Sequence, residues 1–263
     1  CSIAALYDGR YITRDLKDVI RDILEIKRLG FKAFYIVDDN IAGRLEYLRE
    51  LARAVKPLKM WWATQCTLNI SRNPELLKEV AESGCKILSL GIESITQEGL
   101  DKLNKAWVKV NDHELLLKRI KDAGIMPSTE MMVGTDSDTE ESLKATFEFV
   151  ERLKIDIPRF YVLTPIPNTQ LYKEMEEENR LIHKDYSKYD CTQAVHYPKK
   201  ITPEKLNEMY WWINKKVFSI PSIIKRVVLK KAFFKQPGIH LFALYVNLHY
   251  RKYVRKGVVP NIF

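Results

Sequence analysis

The sequence predicts an α/β fold in which parallel strands and helices alternate, as a barrel, a partial barrel or a doubly wound open sheet. Three observations support this prediction. Strand and helix patterns alternate about five times, in units of roughly 30 residues, and polar residues follow nearly every strand. Because parallel strands joined by right-handed crossovers place their carboxyl ends on one edge, we expect those polar residues to share one site.

Periodicity defines the individual elements. Helices are predicted where apolar residues recur every three to four positions, and strands where short β-prone apolar runs end in polar residues. Asn73 and Thr202 are the expected N-caps of two helices, and Gly30 and Gly84 the expected helix stops. The predicted helices span about 16–29, 44–56, 74–83, 111–123, 138–153, 171–178 and 203–217, and the predicted strands 33–37, 60–64, 86–91, 126–133 and 160–163.

Composition limits the class of protein. The chain has 263 residues, of which 46% are hydrophobic and 29% are charged, so it is expected to fold around a substantial core. No apolar run approaches the roughly 18 residues of a membrane-spanning helix, and no signal peptide is visible. Three cysteines, Cys66, Cys85 and Cys191, are interpreted as small buried hydrophobes of a cytoplasmic protein. The chain begins at Cys1 without a Met, which predicts a longer protein.

Polar residues that follow the strands are the candidate site. They lie at the carboxyl ends of the strands, where active sites form in parallel α/β folds. Each residue also has a purely structural interpretation. A glutamate can cap a helix or pair with a nearby cation, Asp and Asn are good turn residues, and Gln65 can cap a loop. An acidic rim could also bind a divalent metal in a hydrolase or lyase. The candidates are Asp38, Asp39, Asn40, Gln65, Glu93, Ser94, Asp136, Thr164 and Pro165.

Five short motifs, taken in order, resemble the radical S-adenosylmethionine (SAM) enzymes, and among them the subgroup with a cobalamin-binding domain ahead of the radical core. The motifs are CSIAALYDGR at the start, VDDNI at 37–41, SGCKILSLGIESI at 83–95 followed by LNK at 103–105, MVGTDSDTEES at 132–142 and LTPIPNTQLY at 163–172. This resemblance implies a partial (β/α)6 radical SAM-type barrel that lacks its first strand, over residues 1–178. A basic, aromatic and mostly helical extension follows over residues 179–263.

The resemblance also implies the cofactors. In the family a CxxxCxxC loop holds three irons of a [4Fe–4S] cluster, and SAM chelates the fourth. Cys1 resembles the third cysteine of that loop. It cannot be the second, because the third cysteine would then stand at residue 4, which is Ala4. The implied chemistry is reductive cleavage of SAM to a 5′-deoxyadenosyl radical, with electrons from an external donor. Cobalamin would be bound by the expected upstream domain.

Site residues carry over by position in the motifs. Asp38, Asp39 and Asn40 lie where the family contacts the SAM amino group, which suits their oxygens. Glu93 lies where the ribose or amino acid part is contacted, and Ser94 is beside it. Gly134, Thr164 and Pro165 lie where backbone groups approach adenine. Asn168 replaces a frequent glycine and tolerates a left-handed turn, while Lys105 is interpreted as a solvated helix charge.

The C-terminal tail is basic and aromatic. No acidic residue follows Glu208, and 239–254 has an apolar helical face containing Leu241, Leu244 and Leu248. This pattern favours peripheral contact with the inner membrane face over packing on an upstream domain, and makes nucleic acid the weakest alternative. His183 and His196, in an aromatic loop, are interpreted as surface or hydrogen-bonded residues.

Three function classes remain open from the sequence, and the weakest of them is a barrel hydrolase or lyase that uses the acidic rim for a divalent metal. The first is a radical SAM enzyme that performs methyl transfer or another carbon-centred reaction on an unidentified small-molecule or lipid substrate. The second is a truncated, non-catalytic binding or scaffolding module that keeps the barrel and the basic tail.

Overall fold

Five strands of a computed structural model, which describes residues 10–258, form one sheet in the order β1-β2-β3-β4-β5. A doubly wound sheet reverses its strand order at a switch point, whereas this order follows the chain without reversal. The predicted fold class, an α/β partial barrel, is therefore confirmed. Cys1 lies outside the described residues. The strands are β1 (Ala33–Ile36), β2 (Trp61–Thr67), β3 (Cys85–Glu93), β4 (Met126–Val133) and β5 (Ile157–Val162).

Helices follow the strands at the predicted places. The side chain of Asn73 accepts a hydrogen bond from the Leu76 amide and that of Thr202 from the Lys205 amide, so both predicted N-caps are confirmed. The helices are α1 (Leu16–Arg28), α2 (Leu45–Val55), α3 (Pro74–Glu82), α4 (Gln97–Lys102), α5 (His113–Asp122), α6 (Glu140–Arg152), α7 (Gln170–Glu177), α8 (Pro203–Val217), α9 (Ile220–Ile223), α10 (Lys231–Lys235) and α11 (Pro237–Val254).

The described residues form two compact units. The first unit comprises 10–92 and 111–129, and the second comprises 93–110 and 130–258. The boundary between these units runs through the sheet. It is a different division from the expected boundary at residue 178, which separates a barrel core from a C-terminal extension. That domain boundary stays a prediction.

Parallel pairing organises the first unit. β1 pairs with β2 from Ala33 opposite Trp61 to Ile36 opposite Thr64, and β2 pairs with β3 as far as Thr67 opposite Gly91. Helices α2 and α3 pack together, and their apolar faces are buried. The buried indole of Trp62 donates a hydrogen bond to the Ser83 hydroxyl, 3.1 Å away, which satisfies its polar N–H group.

Two strand ends differ from the sequence prediction. β2 continues to Thr67, so Gln65 lies inside the strand and not after it, because Gln65 and Cys66 pair with Ser89 and Leu90 of β3. β3 likewise continues past Gly91 and ends at Glu93. Ladder pairing with the neighbouring strand decides both ends, and a single-strand pattern does not reveal it.

A buried cation organises the second unit. Arg226 is 0% exposed, and it donates to the carbonyl oxygen of Ile155 at 2.6 Å and to the side-chain oxygen of Asn247 at 3.0 Å. Its Nε lies 3.4 Å from Oε1 of Glu151. Burial lowers the pKa of Arg226 to about 10. These bonds join the segment after α9 to the start of β5 and to α11. Among the described residues, no helix is both long and apolar enough to cross a membrane.

Candidate functional site

Asp38, Asp39 and Asn40 form the turn that follows β1 in the first unit. The Asp38 carboxylate accepts a hydrogen bond from the Asn40 amide at 2.8 Å, and the Asn40 side-chain oxygen accepts one from the Thr67 amide at 3.1 Å. The Tyr11 hydroxyl donates to the Asn40 carbonyl oxygen at 3.0 Å. Asn40 therefore ties the carboxyl end of β1 to that of β2, and the SAM-binding role of this segment stays a prediction.

The two aspartates of this turn differ in exposure. Asp38 is half-buried and Asp39 is exposed. Burial raises the pKa of Asp38, the Asn40 amide opposes that shift, and the negative charge of Asp39 adds to it. A partly buried carboxylate with a second one beside it is an environment that a bound cation would stabilise.

Glu93 ends β3 in the second unit and pairs with Lys105. The Lys105 ammonium donates to Oε1 of Glu93 at 2.5 Å, and the two side chains are 33% and 19% exposed. The interpretation of Lys105 as a solvated helix charge is therefore wrong, because the residue follows α4 and neutralises the glutamate. Glu93 also has a left-handed backbone with a φ of 62°. For a residue other than Gly this conformation costs free energy, and such residues cluster at functional sites.

Ser94 is engaged locally. Its hydroxyl lies 3.1 Å from the Thr96 hydroxyl and accepts a hydrogen bond from the Thr96 amide, while Thr96 caps α4 through the Gly99 amide. A side chain at Gly99 would have its Cβ only 2.2 Å from the Ser94 hydroxyl. Ser94 therefore fixes the path of the chain between Glu93 and α4.

Gly134 follows β4 and has a φ of 91°, a conformation that favours glycine. A Cβ at this position would lie 2.5 Å from a methyl group of Leu206 in α8, so a side chain here would require Leu206 to move. The Leu163 amide donates to the Val133 carbonyl oxygen at 2.8 Å. The structure therefore brings together two predicted site residues, Gly134 and Thr164, which follow the joined ends of β4 and β5.

Asp138 holds the loop after Gly134. Its buried carboxylate accepts hydrogen bonds from the amides of Gly134 and Thr135, both at 2.8 Å, and from the hydroxyls of Thr135 at 3.0 Å and Ser142 at 3.2 Å. Burial raises the pKa of Asp138, and these four hydrogen bonds oppose that shift. The backbone of residues 134–138 is thereby fixed by one side chain.

His196 and Arg180 hold the same loop from its other side. Nε2 of the buried His196 lies 3.0 Å from the Gly134 carbonyl oxygen, and since a carbonyl only accepts, Nε2 carries the proton. Burial lowers the pKa of His196. Arg180 pairs with Asp136. Burial alone would raise the pKa of Asp136, but the hydrogen bonds and charge of Arg180 outweigh it and hold that pKa below its ordinary value.

Thr164 and Pro165 are both buried after β5. The Thr164 hydroxyl donates to the Val162 carbonyl oxygen at 3.0 Å, so it is bound to its own strand. Asn168 has a φ of 67°, which confirms the left-handed turn predicted for it. Thr169 then caps α7 through the Tyr172 amide.

The cysteines and acidic residues form no metal centre in the described part of the chain, where no group of three or more His, Cys, Asp or Glu side chains could hold an ion. Cys66 and Cys85 are free and buried, and Cys191 is free and partly buried. Burial raises the pKa of all three thiols. The iron-ligand role of Cys1 lies outside the described residues and stays a prediction.

Sequence reasoning did not identify the residues that position the Gly134 loop. Asp138 stands within the motif MVGTDSDTEES, yet nothing in a sequence shows that its carboxylate turns back to Gly134. His196 lies 62 residues away from Gly134 in the chain. The shared-edge expectation also stays a prediction for Asp38 and Glu93, which belong to different units.

Comparison with known proteins identifies related sequences. Residues 1–150 match the model of a family described as the Radical SAM superfamily. The bacteriochlorophyllide d C-12(1)-methyltransferase of Chlorobaculum tepidum is 30% identical over 231 residues, which cover 86% of this chain and 50% of that protein. The bacteriochlorophyllide d C-8(2)-methyltransferase of the same organism is 26% identical over 272 residues, covering 95% and 60%. The chain thus spans about half the length of the curated relatives that it matches.

Comparison with solved structures gives the same fold. TsrM from Kitasatospora setae, a radical S-adenosylmethionine methyltransferase solved with cobalamin and a [4Fe–4S] cluster, superposes with a TM-score of 0.59. The match has 19% identity and covers 64% of this chain and 32% of TsrM. At this identity the likeness establishes the fold alone.

Proposed function

The chain belongs to the Radical SAM superfamily, and on that premise we propose that it forms part of an enzyme that cleaves SAM reductively to drive methyl transfer to carbon. Membership confirms the resemblance predicted from the five motifs. The observation that carries the proposal is the family match over residues 1–150 on a fold shared with a cobalamin-containing methyltransferase. Both relatives described above are also named as methyltransferases.

The family implies SAM and a [4Fe–4S] cluster as cofactors, and the carboxylate acceptors in the structure suit SAM. The half-buried Asp38 beside Asp39 would stabilise the SAM ammonium group by charge and hydrogen bonding. One oxygen of Glu93 is bound by Lys105, and its second oxygen would accept a hydrogen bond from a ribose hydroxyl. Because Lys105 balances the charge of the partly buried Glu93, the carboxylate is well suited to accept a hydrogen bond from a neutral hydroxyl group.

Backbone groups would hold the adenine. The loop after Gly134 and the buried turn at Thr164 and Pro165 follow adjacent strands, so the backbone carbonyls there are held in place before SAM binds. Preorganised backbone groups bind a ligand with a smaller loss of conformational entropy. Asp138 and His196 would therefore act as positioning residues.

Cys1 would be one ligand of the cluster, which in this family supplies the electron that cleaves SAM. Cobalamin would be held by a domain outside residues 1–263. The substrate would be a small molecule or lipid that is methylated at carbon, as the names of the relatives suggest, and the electrons would come from an external donor.

SAM binding by the chain tests the proposal. The protein extended upstream to include a complete CxxxCxxC loop is reconstituted anaerobically with iron and sulfide and titrated with radiolabelled SAM in equilibrium dialysis. The 5′-deoxyadenosine that it forms is measured after addition of dithionite. Loss of a hydrogen bond to a charged group costs about 1.5–3 kcal/mol, so Glu93→Gln should raise the SAM Kd about tenfold or more.

Glu98→Gln is the matched control, because Glu98 is 53% exposed on its side chain and pairs with Lys200 at the surface. Its SAM Kd should equal that of the wild type. Equal affinities of the two variants would remove Glu93 from the site. An extended, reconstituted protein that binds no SAM and forms no 5′-deoxyadenosine would refute the proposed function.

A further inference from the structure

Helix α11 has one face buried in the second unit and another face that is exposed and apolar. Ile239, Ala243, Val246 and Tyr250 are buried. On the opposite side, Leu241, Tyr245 and Leu248 are 54%, 65% and 42% exposed. Together with Lys252 they follow the spacing i, i+4, i+7, i+11, which places them on one line along the helix. We call these four residues the outer stripe of α11. A helix that needed only one buried face would carry polar residues here.

All charged side chains in the chain segment that carries the outer stripe are positive. After Glu208 the chain has eleven lysines and arginines and no acidic residue. Three of these cations, Lys225, Arg226 and Lys230, pair with Glu151 or Asp156, and Arg251 donates to a backbone carbonyl. The others form no ion pair within residues 10–258, and they are Lys215, Lys216, Lys231, Lys235, Lys252, Arg255 and Lys256.

The apolar and cationic groups are ordered along the helix. Lys231 and Lys235 lie in α10, before the apolar part of the stripe, and Lys252, Arg255 and Lys256 lie after it. Phe234 of α10 is 80% exposed, and the neighbouring ring of Phe233 lies 6.1 Å from the ring of His240 in α11. Exposed apolar side chains therefore occupy the middle of a surface whose two ends carry the unpaired cations.

We propose that this surface binds a membrane containing anionic lipids, with the outer stripe of α11 facing the bilayer. Lysine and arginine stems can extend over apolar surface and place their charges among the headgroups, and a tyrosine suits the same interface. Nucleic acid would satisfy the cations, but it would leave Leu241 and Leu248 against a charged backbone. The proposal is independent of the proposed function.

Vesicle co-sedimentation of the whole 263-residue chain tests this binding. We expect the chain to pellet with phosphatidylcholine vesicles that contain phosphatidylglycerol and to remain in solution with phosphatidylcholine alone. Binding should weaken as salt increases. Each cation near an anionic surface changes the partition coefficient about fivefold, so Lys252→Gln with Arg255→Gln should lower it by about 25-fold. Leu241→Ser with Leu248→Ser should lower it at least tenfold.

Leu115→Ser and Lys173→Gln are the matched controls. Leu115 is a 50% exposed leucine on α5, and Lys173 is an exposed lysine on α7, so both variants should bind as the wild type does. Circular dichroism of every variant establishes that it is folded. The proposal is overturned if the wild type ignores anionic vesicles, if it binds neutral vesicles equally well, or if the stripe variants bind as the controls do. Retention by duplex DNA without retention by vesicles would also overturn it.

Discussion

Replacing Asp138 by alanine should destabilise the second unit more than any exposed aspartate substitution. The Asp138 carboxylate accepts from the buried amides of Gly134 and Thr135 and from two hydroxyls. Hydroxyls can turn to other acceptors, but the two amides cannot. A buried donor left without an acceptor costs about 1–3 kcal/mol, so Asp138→Ala should lower the free energy of unfolding by about 3–5 kcal/mol. Asp138→Asn keeps one acceptor oxygen and should lose about 1–2 kcal/mol.

Urea unfolding followed by circular dichroism measures the change, and Asp185→Ala is the control. Asp185 accepts the same kinds of bonds, from the amide and hydroxyl of Ser187, but it is exposed, so its replacement should cost below about 1 kcal/mol. Hydrogen exchange adds a local measurement, since the amides of Gly134 and Thr135 should lose protection in Asp138→Ala. The reasoning fails if Asp138→Ala loses no more stability than Asp185→Ala and both amides stay protected.

Three further predictions concern other parts of the chain. Burial lowers the pKa of His113 to about 4, so the folded state binds fewer protons than the unfolded state. The free energy of unfolding should therefore fall by about 3 kcal/mol from pH 6.5 to 4. In urea titrations, His113→Leu should lose this dependence of the free energy of unfolding on pH. Arg226→Ala should lower the free energy of unfolding in urea by about 3–5 kcal/mol, because it leaves buried partners unpaired. The side chain of Lys225 is 54% exposed, so Lys225→Ala should cost below about 1 kcal/mol. Equal losses in the two variants would contradict this reasoning. Asn168 has a φ of 67°, so Asn168→Ala should lower the free energy of unfolding by about 1 kcal/mol and with it the thermal midpoint. Asn168→Gly should not lower it. Equal midpoints in the two variants would contradict the argument from backbone strain.

The sequence determined which segments fold and in what class. Periodicity and caps are local properties, so α3 with its Asn73 cap and α8 with its Thr202 cap could be predicted. The left-handed turn at Asn168 was predicted because Asn168 stands where the resembled family often has glycine, and asparagine tolerates the same backbone conformation. The motif order was also sufficient for the family assignment, which the match over residues 1–150 confirms.

Tertiary structure alone decided how the candidate residues are held. The ends of β2 and β3 depend on pairing between strands, which moved Gln65 into a strand and Glu93 to a strand end. The pairing of Glu93 with Lys105 and the contact of His196 with Gly134 join residues that are 12 and 62 positions apart. Which face of α11 is buried was decided in the same way, since both of its faces carry apolar residues and only packing shows which one remains exposed. Local preference acts within a few residues, while these contacts form only when the whole chain has closed around its core.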